Sequence, residues 1–120
     1  MDLSNPVEHG DVEITGVTVN EDSTTMNFEG TIGKYGKVFV THTLYALEGD
    51  KSRGSLEGNA RAILDDGTLL WSPLTGTFRR EGSTAKFFFL DCVNNGDQNF
   101  VIWDVDILGK TGEVTVYSLL

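Results

Sequence analysis

The chain has 120 residues, enough for one packed domain (1–120) and too few for two separate cores. Hydrophobic residues at 39% and aromatics at 10% exclude a disordered chain. Eighteen acidic against nine basic side chains give a net charge of -9, a surface that repels nucleic acid phosphates and anionic lipid headgroups, so neither is an expected partner.

Residues 1–10 read as an irregular N-terminal arm. With neither a basic start nor an apolar run in Met1–Pro6, no export signal is visible, and a cytoplasmic location is expected. From there apolar and polar residues alternate with period 2 between turn signals, and no stripe of helical spacing is sustained. The first strand covers 11–19, with Val12 and Ile14 alternating and a shift at Gly16. The second covers 24–32, with Met26, Phe28 and Ile32 on one face and Glu29 on the other. The third, 37–47, is richest in β-formers. The fourth, 55–64, sets Leu56, Gly58, Ala60, Ala62 and Leu64 against Glu57, Asn59, Arg61 and Ile63. Its first face is small enough for close contact with another sheet or subunit, and Glu57 with Arg61 reads as a surface ion pair. The fifth, 68–78, contains Pro73, which predicts a bend or bulge. Strands at 84–93, 99–108 and 113–119 complete the set.

The connections agree with this division. Asp66-Gly67 and Asn95-Gly96 suit tight hairpin turns, 80–83 and 109–112 are further short turns, and 48–54 forms a longer polar loop at a barrel mouth. Eight sequential strands on short loops predict an all-β fold, an eight-stranded antiparallel up-and-down barrel, with a two-sheet sandwich as the competitor. Phe87-Phe88-Phe89 adds a constraint. Neighbouring side chains of a strand point to opposite faces, so the ring of Phe88 needs cover outside the barrel if Phe87 and Phe89 fill it.

Few residues carry a chemical signature. The glycines punctuate strands and open no helix, which excludes a phosphate-binding loop. Two histidines and one cysteine do not make a zinc site, and neither a metal nor a cofactor is expected. Asp104 and Asp106 share a solvated face, and 95–99 is a turn. Cys92, on the face of Lys86, Phe88 and Leu90, reads as a buried structural thiol.

The candidate catalytic groups are His42, Glu29, Asp91 and Tyr45. His42 shares a face with Val38, Val40 and Leu44. If that face lines the barrel, an imidazole sits in an apolar interior, either as a neutral base or bonded to a backbone carbonyl or a threonine. The opposite parity lines it with Phe39, Thr41, Thr43 and Tyr45, and alternation alone leaves both open. Asp91, on the face of Phe87 and Phe89, is a carboxyl among rings, suited to general acid work. Trp71, Phe89, Trp103, Phe28 and Thr43 are the candidate ligand-binding walls.

The segments Phe28-Glu29-Gly30-Thr31-Ile32-Gly33-Lys34-Tyr35-Gly36 and Leu74-Thr75-Gly76-Thr77-Phe78 give the chain, over residues 24–108, a likeness to a known family. It resembles the allene oxide cyclase-like barrels, above all the small bacterial members. That resemblance implies an eight-stranded barrel with an apolar cavity, assembled as a dimer or trimer. The acidic residue near Asn and Pro in the early strands of the plant cyclases has no counterpart here, so no catalytic residue carries over. The expected function is a barrel that binds a small hydrophobic molecule, with cofactor-independent cyclisation or isomerisation as its chemistry. The alternative is a barrel filled by its own side chains that serves self-association or partner binding.

Overall fold

A computed structural model describes residues 2–47 and 49–120; Met1, in the N-terminal arm, and Glu48, at the head of the polar loop, lie outside the described residues. The chain forms strands β1 (Glu8–Val19), β2 (Thr24–Ile32), β3 (Lys37–Ala46), β4 (Arg53–Ile63), β5 (Leu69–Glu81), β6 (Thr84–Cys92), β7 (Gln98–Asp106) and β8 (Thr111–Ser118). One turn of 3-10 helix, Gly33–Tyr35, joins β2 to β3. Every strand pairs antiparallel with the next, and β8 returns to β1, so the sheet is a closed up-and-down barrel and not a sandwich. Among the described residues no helix is long and apolar enough to cross a membrane.

Closure lengthens β1. It begins at Glu8 rather than near Asp11, because Glu8 faces Val116 and the ladder to β8 runs on to Glu13–Thr111. That pairing is between chain ends, and no local pattern announces it. Beyond it β1 leaves β8, and its register against β2 shifts between Ile14 and Gly16, the bulge expected at that glycine. Pro73 stays in register with Asn59 of β4, but the ladder from β5 to β6 stops at Leu74–Asp91. Side chains take over there. The Cys92 N–H donates to Ser72 Oγ at 2.9 Å, Ser72 Oγ donates to the Pro73 carbonyl at 2.8 Å, and the Trp71 N–H donates to Asn94 Oδ1 at 2.9 Å. The proline therefore interrupts one ladder and leaves the other straight.

The interior takes alternate residues of each strand. Val12, Phe28, Val40, Leu56, Leu74 and Phe87 are all buried, and Trp103 is 1% exposed. The small face of β4 is part of this inner wall, with Leu56 and Ala62 buried, and not a subunit contact. Because β5, β6 and β7 run in register, Phe78–Phe87–Trp103 and Gly76–Phe89–Val101 form lateral rows of inward residues. Glycine is needed in the second row: a Cβ on Gly76 would run into the Phe88 carbonyl and lie 2.6 Å from Phe89 Cα.

Cys92 is exposed. It has the outward parity of Leu90 and sits at the strand end, so it is not a core thiol. Glu57 and Arg61 both face outward without pairing: Glu57 Oε1 accepts from the Tyr45 hydroxyl at 3.0 Å, while Arg61 Nη1 donates to the Ala60 carbonyl at 2.9 Å.

Candidate functional site

The barrel is closed at its waist by rings. The register Met26–His42 and Phe28–Val40 between β2 and β3 settles the parity of β3, turning Val38, Val40 and His42 inward. His42 is 0% exposed, with ring centroids of Phe28, Phe87, Phe89 and Trp103 at 5.2, 5.2, 5.0 and 4.6 Å. Neither ring nitrogen has a hydrogen-bond partner among the described residues, nor does Trp103 Nε1. The backbone or threonine partner expected for a core histidine is therefore missing. Burial without a partner disfavours the imidazolium and pushes the His42 pKa down to about 3, so the ring is neutral at pH 7.

The plug divides the interior in two. At the end that carries the β2–β3, β4–β5 and β6–β7 turns lies a chamber of about 70 Å³, walled by Val40, Ala62, Leu74, Phe89, Val101 and Val116. Tyr35 and Asp91 border it, and Asn99, 2% exposed, ties the two together. Asn99 Nδ2 donates to Asp91 Oδ1 at 2.9 Å and lies 3.1 Å from the Tyr35 hydroxyl, which donates to Asp97 Oδ2 at 2.6 Å. Lys34 Nζ lies 3.0 Å from the same carboxylate, at the surface. Each group titrates according to its place in this chain. Burial raises the Asp91 pKa to about 6 against the opposing effect of Asn99. The hydrogen bond from Tyr35, then Lys34, holds Asp97 below the usual carboxylate range. Burial, then the bond to Asp97, raises Tyr35. An acid poised near neutrality thus stands against an apolar wall, beside a fixed amide and a phenol. The opposite end opens into a cup of about 230 Å³ over Met26, Leu44, Phe78 and Phe87, with Lys51 and Arg80 among its lining. The Arg80 guanidinium also donates to the carbonyls of Asp50 at 2.8 Å and Gly82 at 3.0 Å.

Of the residues singled out in the sequence, Asp91, Phe89 and Trp103 meet at the chamber, while His42 and Phe28 belong to the plug behind it. The others face outward. Glu29 lies 3.5 Å from Lys37 Nζ, Tyr45 bonds Glu57, and Thr43 Oγ1 is 3.3 Å from Thr25 Oγ1. Trp71, 49% exposed, stands at the rim of the chamber on the outer wall. Each has odd parity on a strand whose even positions point in, so none reaches the interior. Tyr35, Asp97 and Asn99 escaped the sequence reading because 62 to 64 residues separate Tyr35 from the other two. The available signal was strand counting: in a meander, the turns after β2 and β6 lie at the same end.

No family model matches the chain, and neither a curated protein nor a solved structure matches it. Fold and site define its class on their own terms: a closed eight-stranded barrel, blocked at the waist by rings and hollow at one end beneath a carboxyl–amide–phenol chain.

Proposed function

We propose that the chain is a small-molecule-binding barrel whose ligand inserts an apolar tip into the chamber beside Asp91. The observation that carries this reading is Asp91 itself, a carboxyl raised to about 6 on an otherwise apolar wall and held in place by Asn99. Carboxyls raised in this way at the wall of a cleft cluster at binding and proton-transfer sites. Size limits the ligand. Cavities of about 150 Å³ hold benzene, so a chamber of about 70 Å³ accepts a short branched alkyl group, with the rest of the molecule at the mouth near Tyr35. Cofactor-independent isomerisation or cyclisation suits this geometry, with Asp91 carrying the proton and the apolar wall excluding water. The resemblance to allene oxide cyclase-like barrels supports the same class of ligand.

A second reading is favoured by the plug: with Phe28, His42, Phe87 and Trp103 at 0–1% exposure, the barrel is largely filled by its own side chains. Methyl NMR with short branched alcohols and carboxylic acids as probes separates the two. Binding predicts shifts confined to Val40, Val101 and Val116, abolished in the chamber-filling variant Ala62→Phe. Shifts absent throughout, or unaffected by that variant, favour the filled barrel.

A further inference from the structure

Among the described residues Arg80 is the one basic side chain of the strands with inward parity. On β5 the even positions line the barrel, with Leu70, Ser72, Leu74 and Phe78 all buried, and Arg80 follows Phe78 on the same side. Lys37, Arg53, Arg61, Arg79 and Lys86 have the opposite parity on their strands and are exposed. Arg80 is half-buried at the end of the barrel that carries the β1–β2, β3–β4, β5–β6 and β7–β8 turns, in the lining of the cup of about 230 Å³.

That cup is apolar in its depth and cationic at its rim. Met26 and Phe87, both buried, form the floor, and Leu44, Phe78 and Ile107 the walls. The charged residues of the lining are Arg80, Lys51 and Asp22, a net +1 in a chain of net -9. The two hydrogen bonds of the Arg80 guanidinium go to the carbonyls of Asp50 and Gly82, which neutralise no charge. Among the described residues no carboxylate pairs with Arg80 or with Lys51. The Asp50 carboxylate, which senses the Arg80 charge, accepts instead from the Ser52 N–H at 3.1 Å. A guanidinium carries five N–H donors, so Arg80 keeps others to offer.

From the inward arginine, the apolar floor and the local excess of positive charge we infer that the cup is a second ligand site, for a small amphiphilic monocarboxylate. The carboxylate sits on Arg80 with Lys51 beside it, and the apolar body lies over Met26 and Phe87. An arginine fork matches a carboxylate in geometry as well as charge, and a concave apolar site with a few convergent polar groups is the usual form of a small-molecule site. The six carbons of benzene occupy a cavity of about 150 Å³, so in proportion a cup of about 230 Å³ takes a body of roughly eight or nine carbons. Such a body is too large for the chamber of about 70 Å³ at the other end. The ring plug stands between the two, and nothing in this inference depends on what the chamber binds.

Methyl NMR of the full chain with octanoate, and with octanol and octylamine as neutral and cationic controls, tests it. A ligand of this size binds with a dissociation constant of about 1 mM. Octanoate shifts Met26, Leu44 and Ile107 and leaves Val40, Val101 and Val116 of the chamber in place. Octanol binds about tenfold more weakly, and octylamine does not bind. Arg80→Gln weakens octanoate by about tenfold, and Ala46→Phe, which fills the cup, abolishes its binding. Because Arg80 also ties the β3–β4 loop to the β5–β6 turn, Lys51→Gln is the second variant. Exposed and outside the sheet, it weakens octanoate by about threefold with melting unchanged. No shift at the cup well above that concentration, shifts at the chamber valines instead, or octanol or octylamine bound as tightly as octanoate overturns the assignment.

Discussion

Replacing His42 with leucine should leave stability nearly unchanged at pH 7 and make this protein progressively more stable than the wild type as the pH falls. The imidazole is 0% exposed, with both nitrogens unpaired among the described residues. Each buried polar group without a partner costs about 1–3 kcal/mol. Leucine, of similar volume, removes both costs but forfeits the ring contacts with Phe28, Phe87, Phe89 and Trp103, worth about 0.5–1.5 kcal/mol each. The two sums, each about 2–6 kcal/mol, nearly cancel, so at pH 7 the variant should match the wild type to within about 1 kcal/mol, or roughly 4 °C in melting temperature for a domain of this size. The pH dependence is the stronger test. In the unfolded chain the imidazole takes up a proton below about 6.5, but in the barrel only below about 3. Between those values the unfolded state binds more protons, so the wild type loses stability as the pH falls, by about 1.4 kcal/mol per unit. His42→Leu lacks this component, and at pH 4 its advantage should have widened by about 3 kcal/mol. Urea unfolding followed by tryptophan fluorescence at several pH values reads both quantities. A variant at least 2 kcal/mol less stable at pH 7 with the wild-type acid slope would refute the reasoning, because the imidazole would then have a hydrogen-bond partner in the folded protein.

Asp91→Asn should show the opposite pH sign. A carboxyl raised to about 6 keeps its proton in the fold while the unfolded chain loses it near 3.8, so its cost grows as the pH rises through that window. The variant should gain roughly 1–2 kcal/mol above pH 6, after discounting for the partial exposure of the group, and nothing below pH 3.5; equal melting temperatures at pH 7.5 would contradict the burial assigned to Asp91. Gly76→Ala should cost about 2–4 kcal/mol, since its methyl group would meet the backbone of β6 at Phe88 and Phe89, and a change below 1 kcal/mol in chemical denaturation would show that the strands separate freely there.

The fold was legible because its cues are local. Alternation marked the strands, Asp66-Gly67 and Asn95-Gly96 marked the turns, and the run of short connections implied a meander. The facing of β3 was not legible, since Val38-Val40-His42 and Phe39-Thr41-Tyr45 are both mixed sets and only pairing with Met26 and Phe28 decides between them. The site was half legible. Asp91 could be placed among rings from its parity with Phe87 and Phe89, whereas Tyr35 and Asp97 lie in turns, where side chains follow no period. Trp71 shows the limit of composition: a tryptophan reads as core, yet its strand turns it outward beside Pro73.

The seam between β1 and β8 has a kinetic meaning of its own. Every other pairing joins strands linked by a short turn and can zip up as a hairpin within microseconds. This one closes a loop of roughly one hundred residues, from Glu8 to Val116, and brings little reward until both neighbours exist. The seam should therefore form last and open first, as a ring opens at its clasp. The amides of His9 to Glu13 and Thr111 to Val116 should be the first to exchange with solvent, well before those of β4 and β5, even though all of them lie in one continuous sheet.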